Sequence, residues 1–312
     1  MKKVTKQAEY IFVSILILLT VTLSISQTIL YAIKTPPGHT FLFIHNFIED
    51  YYYYLHLMRQ GWEGHVIATS WMTPEVYPGA VVNVFFLLLG HLARMFHIGI
   101  PVMYLLARIS GGAVLLVLVY VLIQKIFPKD RAKRIGAFLL VIFGKYWWGW
   151  EIGGPTVSLL AHQWTELDPI FRWSYIPHHL WSKVGMVVLI ILLIKPKKNI
   201  MYLFSMSVLT ALTGLINPVV YATLLPLICL WAGLEFLRDK GNRKNVWFYL
   251  PWICIVLPAL AVGLYHRNLS MTLFPWTSYA VWEKTLEYAV TITDYTVSLG
   301  PNLWRKRKTI LT

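Results

Sequence analysis

Long apolar runs separated by short polar breaks fill most of the chain. The first, at 9–33, follows Lys2, Lys3 and Lys6. It exceeds the roughly 7–15 apolar residues of a secretory signal, and no small-x-small cleavage site follows, so it predicts a retained anchor. Further runs at 100–127, 135–150, 181–194, 200–216, 219–237 and 246–265 read as membrane-crossing helices. The run at 80–96 is also apolar over roughly a bilayer's depth. It carries Asn83, His91 and Arg94, with His97 just beyond. Between the first run and this one, 46–59 reads as an amphipathic helix, with Gly61 suited to the left-handed position that ends it.

The segment 80–96 decides the topology. If it crosses, the cluster Lys125, Lys129, Arg131, Lys133 and Arg134 lies opposite the N-terminal lysines, against the tendency of basic loops to collect on the cytoplasmic side. If it lies in the outer interface, that cluster joins the N-terminus inside. So do Lys195, Lys197 and Lys198, and later Arg238, Lys240, Arg243 and Lys244. Glu49, Asp50, Glu63, Glu75, Glu151, Glu166 and Asp168 then fall outside. The preferred fold class is an all-α polytopic transmembrane bundle of about seven spans, with juxtamembrane helices in the first outer loop and a cytoplasmic N-terminus. An eight-span version remains open. Residues 1–267 form the transmembrane module. Residues 268–312 are an outer loop and tail whose charges fit a lipid-facing span poorly. Either a further span lies within 288–299, or the chain stops short of its natural length.

Composition supports the membrane class. Of the 312 residues 57% are hydrophobic and 13% charged, with a mean hydropathy of +0.58, which excludes an ordinary soluble domain. Fourteen tryptophans and 18 tyrosines suit interfacial belts. The net charge of +14 comes in short clusters between apolar runs. It is therefore a topology signal, and no nucleic-acid partner is expected. Cys229 and Cys254 lie within apolar runs and give neither a disulfide framework nor a metal spacing.

Candidate chemistry concentrates in two stretches. The first runs from His45 to Leu55 and holds Glu49, Asp50 and four tyrosines. Asn46 and Glu49 match a capping box, so Glu49 has a structural reading beside a functional one. Asp50 has the position of a general base, or of an ordinary acid favoured by a helix's first turn. Phe47, Tyr51, Tyr54, Leu55 and Met58 share one helix face, while Tyr53 falls on the side of Asp50 and is a candidate substrate contact. The second stretch, 151–179, holds His162, Glu166, Asp168, Arg172, His178 and His179. His162 and Glu166 share a face at i, i+4, a weak ligand pair. Pro169 sets Asp168 in a turn. His178 and His179 diverge on a helix, so at most one enters a site. Arg172 suits a phosphate or a neighbouring acid. Arg108, within a span, either lines water or snorkels to headgroups. Arg267 is similarly placed for a lipid phosphate.

An outward first span, a first outer loop opening on Glu49-Asp50, a juxtamembrane helix, and Leu167-Asp168-Pro169 in a second outer loop together resemble the GT-C class of membrane glycosyltransferases. Protein O-mannosyltransferases and lipid A aminoarabinose transferases belong to that class. The resemblance covers most of 1–267 and rests on architecture and short motifs. It implies a plasma (inner) membrane enzyme of the cell envelope. That enzyme moves a sugar from a polyprenyl-phosphate donor to a glycan, lipid or protein acceptor, inverting the anomeric carbon. It casts Asp50, Glu49 and Asp168 as catalytic. Arg108, Arg172, His178, His179, Arg267 and Tyr53 become substrate contacts. Glu49, Asp168 and Glu166 become holders of a divalent cation (Mg, Mn or Zn). A transporter or flippase for lipid-linked or anionic substrates is the rival expectation, and a non-catalytic membrane protein the third.

Overall fold

The computed structural model describes residues 2–44, 48–144, 149–151, 154–156, 168–238, 241 and 245–285. The elements are α1 (Lys2–Ile33), α2 (Ile48–Glu63), α3 (Val84–Met95), α4 (Ile100–Ile126) and α5 (Arg131–Phe143). A short antiparallel hairpin follows, β1 (Gly149–Glu151) with β2 (Gly154–Thr156), and then a 3-10 turn at Phe171–Ser174. The rest is helical: α6 (Pro177–Leu193), α7 (Ile200–Ile216), α8 (Val220–Arg238), α9 (Val246–Thr272) and α10 (Trp276–Thr285).

Local sequence sets most of these starts. Proline in the first turn opens α4 and α6, where its missing N–H costs nothing. Asp130 caps α5 by accepting from the Lys133 amide at 3.0 Å. Asn199 and Asn245 cap α7 and α9 in the same way. Pro226 lies inside α8, and Pro251 and Pro258 inside α9, as membrane helices tolerate.

The protein has the apolar helices of a multi-pass membrane protein. Lys6–Ile33 of α1, α4, α8 and α9 are each long and apolar enough to cross a bilayer. Helices α6 and α7 are apolar but have 17 residues each, about 26 Å at 1.5 Å per residue. With 12 residues, α3 reaches only about 18 Å, well short of a hydrocarbon core of about 30 Å. The run at 80–96 thus holds a short helix, Val84–Met95.

Two ion-paired and packed regions define the ends of the bundle. At one end Glu9 of α1 is buried and takes a bidentate pair from Arg134 of α5, Nε and Nη2 each at 2.6 Å. The Tyr120 hydroxyl of α4 donates to the same carboxylate, and Arg131 lies 4.0 Å away. The start of α1 and the end of α4 thus share one end of the molecule. The basic segment 125–134 therefore lies at the same end as the start of α1. At the far end an apolar core joins α2, α3, the start of α4, Trp181 near the start of α6, Ile216 at the end of α7, Leu269 near the end of α9, and Trp276 of α10.

Helices α2 and α3 cross at glycine. A Cβ at Gly61 would overlap the Leu87 backbone carbonyl, and one at Gly90 would overlap that of Met58. Gly61 therefore does not end the helix, as the sequence suggests. It lies inside α2 because nothing larger fits the crossing, and the left-handed glycine after the helix is Gly64 (φ 105). The expected apolar face of α2 is buried at Tyr51 and Met58 and half-buried at Tyr54 and Leu55. It rests on α3 and α4 rather than on lipid: Tyr54 stacks on Phe86 at 4.2 Å, and Tyr51 meets the edge of Tyr104 at 5.0 Å. Asn46, Phe47, His162 and Glu166, and with them the capping box and the histidine–glutamate pair, lie outside the described residues.

Candidate functional site

A cavity of about 560 Å³ opens at the far end, a size that suits a small-molecule site. The first turn of α2 contributes Glu49 and Asp50, and its next residues Tyr53 and Tyr54. Met72, Val82 and Asn83 come from the segment between α2 and α3, and Pro218 from the α7–α8 connection. The end of α9 adds His266, Leu269 and Ser270, and α10 adds Trp276, Tyr279 and Ala280.

The walls hold one another. Asn83, in the left-handed conformation that asparagine tolerates, donates from Nδ2 to the Tyr53 hydroxyl at 3.0 Å. The Tyr53 and Tyr279 rings meet edge-on at 6.0 Å, and Tyr279 tilts against Trp276 at 5.8 Å. The Tyr279 hydroxyl lies 3.1 Å from Ser70 Oγ, tying α10 to the α2–α3 segment. That segment is pinned in turn by Gln60, buried on α2. Its Oε1 accepts from the Thr69 amide at 3.0 Å and its Nε2 donates to the Thr69 carbonyl at 2.5 Å.

Asp50 is half-buried, and Glu49 beside it is exposed. Among the described residues Asp50 has no hydrogen-bond or ion-pair partner. Burial, with the neighbouring Glu49 charge adding to it, raises its proton affinity above the ordinary aspartate range. Burial also raises the Tyr53 and Tyr54 hydroxyls, so both stay protonated as donors.

The other sequence candidates lie elsewhere. Asp168 is absent from this lining. Its Oδ1 accepts from the Ile170 and Phe171 amides, both at 2.8 Å, and caps the 3-10 turn. The turn at Asp168 is as read from Pro169; its convergence with Asp50 on one hollow is not found. Arg172 donates from Nη2 to the Ile142 carbonyl at 2.8 Å, with Val141 and Gly144 nearby, closing the end of α5, while the Asp168 charge still acts on it. Its guanidinium also lies 5.3 Å over the Trp173 ring. Arg108 does not snorkel: it is 1% exposed and donates from Nε to the Ser174 carbonyl at 2.7 Å. Ser174 then donates to Ser24 of α1, so Arg108 sits where α1, α4 and the 3-10 turn meet. His178 is buried against Tyr54 (5.2 Å) and Phe86 (5.3 Å), behind the cavity wall. His179 packs at 5.2 Å on Tyr175. Arg267 is exposed on α9, beside Ser270 at i, i+3.

Glu166, one of the three candidate metal ligands, lies outside the described residues. No three His, Cys, Asp or Glu side chains converge among the described residues. Glu49 and Asp50 are neighbours on one helix, diverging by about 100°. Two adjacent carboxylates do not enclose a cation by themselves; a magnesium ion held by one or two carboxylates completes its shell with water or substrate phosphate.

Sequence reasoning missed His266, Ser270, Trp276 and Tyr279, which close the cavity. The aromatic residues after Pro275 were its one visible signal. No family model matches the chain, and no curated protein or solved structure matches it.

Proposed function

We propose that the protein is a membrane glycosyltransferase of about seven spans, with Asp50 as the general base at an outward-facing cavity. The observation that supports this best is Asp50 itself. It is a desolvated carboxylate with raised proton affinity and no partner among the described residues, on the wall of a cavity rich in hydroxyl donors. A base needs a proton affinity nearer to neutral than a free aspartate offers, and burial supplies that shift.

The acceptor hydroxyl lies against Asp50 and attacks the anomeric carbon of a polyprenyl-phosphate-linked sugar. Its proton passes to Asp50. The bond from the anomeric carbon to the phosphate oxygen breaks, and the phosphate leaves with the electron pair. One displacement inverts the carbon. Tyr53, held by Asn83, and Tyr279 offer hydroxyls to the sugar. Of the three candidate arginines, Arg108 and Arg172 donate to backbone carbonyls away from the cavity lining, each keeping one buried nitrogen without a partner among the described residues. Arg267 presents an exposed guanidinium on the helix that lines the cavity, so it receives the leaving phosphate. No step passes through a metal, and Asp168 has no part.

The test is release of polyprenyl phosphate from labelled polyprenyl-phosphate sugars by the full chain in proteoliposomes. Asp50→Asn should lower the rate about 10²-fold or more, the low end of general-base contributions. Near-wild-type turnover by that variant removes Asp50 from the role.

One observation favours a second reading. No lysine or arginine lines the described cavity, which suits a carrier of neutral or cationic solutes better than a phosphate site. Solute uptake without release of polyprenyl phosphate would establish the carrier.

A further inference from the structure

The cavity wall combines two carboxylates, Glu49 and Asp50, with the rings of Tyr53, Tyr54, Trp276 and Tyr279, and its described lining contains no basic residue except His266. We propose that this cavity binds a ligand whose polar head is an organic cation, an amine or quaternary ammonium, carried on an apolar body. The inference rests on the same cavity as the transfer reading but not on transfer. Where both hold, the acceptor is an amino alcohol.

Three features carry it. The acid pair has no cationic side chain beside it: beyond the first turn of α2, which favours acids, neither carboxylate has an ion pair among the described residues, and the like charge of Glu49 acts on Asp50 at the adjacent position. A cation relieves that repulsion. A neutral head leaves it, and an anion adds to it, the more strongly where water is partly excluded. Aromatic faces attract a cation through their quadrupole, most usefully when it is weakly hydrated, as quaternary ammonium is. The apolar remainder of the lining, Met72, Val82, Pro218 and Leu269, offers contact to a hydrocarbon body but no charge. Trp276 is 7% exposed and its ring nitrogen has no partner among the described residues. Its ring packs against Tyr279 at 5.8 Å, which holds the aromatic wall in place, and its N–H is left free to donate to a ligand.

The experiment is calorimetric titration of the purified full chain in maltoside micelles with choline chloride. Parallel titrations use its uncharged carbon isostere 3,3-dimethylbutan-1-ol and sodium phosphate. Saturable choline binding about tenfold or more tighter than the isostere is expected, with no phosphate binding at the same site. Glu49→Gln and Asp50→Asn should each weaken choline severalfold and leave the isostere unchanged. Equal binding of choline and isostere, preference for phosphate, absence of saturable choline binding, or variants that bind choline as the wild type does would each overturn the proposal. The comparison of choline with the isostere uses the wild type alone, so it decides the matter even if a variant does not fold. Choline binding without transfer refutes only the transferase; transfer without discrimination between choline and isostere refutes only this inference.

Discussion

Asp50 carries both a functional and a thermodynamic signature. Because burial and Glu49 raise its proton affinity in the folded state, the protein binds a proton more tightly there than the unfolded chain does. The stability tied to that proton is fully present below the ordinary aspartate value and is lost as pH rises through the raised one. Asparagine at this position has nothing to lose. Asp50→Asn should therefore gain thermal stability over the wild type near pH 7, with the gain shrinking as pH falls toward 4, read by melting in micelles. A gain independent of pH would show that the carboxylate is not perturbed. The same shift sets the acidic limb of transfer above about 3.9, the free aspartate value. The acid pair was legible in the sequence because charge next to an apolar run is conspicuous. Its aromatic neighbours Trp276 and Tyr279 were not, since an aromatic residue in a membrane protein is ordinary and only the fold brings α10 back over α2.

At the scale of elements, close crossings and one buried ion pair hold the helices together. Alanine at Gly61 or Gly90 would place a methyl group in the backbone of the facing helix. Each should cost about 1–3 kcal/mol, the usual range for overpacking, measured as a lowered melting temperature. Arg134→Met would leave Glu9 buried without its bidentate partner. A lowered melting temperature is expected, the drop reduced by the Tyr120 hydroxyl and Arg131 that still reach the carboxylate. Adding Glu9→Gln should recover most of it, and a double variant no better than the single would refute the pairing. The apolar run read at 200–216 is α7 at those bounds, because the run is clean and Asn199 fixes its start. The sequence misjudged the end of α2, where Gly61 looks like a stop signal but serves a crossing. It also ended the last long apolar run at 265, short of Thr272, because His266, Arg267 and Asn268 break the run although the helix continues. Capping and periodicity are local and visible, whereas close approach between helices depends on a partner distant in sequence.

For the whole molecule, the arrangement depends on the ends. The pair of Glu9 with Arg134 sets the N-terminus and the 125–134 cluster together, and the acid pair with its cavity lies at the opposite end, beyond α1. The short α3 does not change this, since it folds back on α2. The sequence left the crossing of 80–96 open because composition alone cannot distinguish an apolar helix that spans from one that packs on a neighbour. The 12 residues of α3 and its glycine contact with α2 support packing on a neighbour. The direct measurement replaces Cys229 and Cys254 with serine, places a single cysteine at Glu49 or at Lys129, and applies a membrane-impermeant maleimide to sealed right-side-out vesicles. Cysteine at 49 should label and cysteine at 129 should label only after the membrane is opened. Labelling of both positions from the same side would contradict the account.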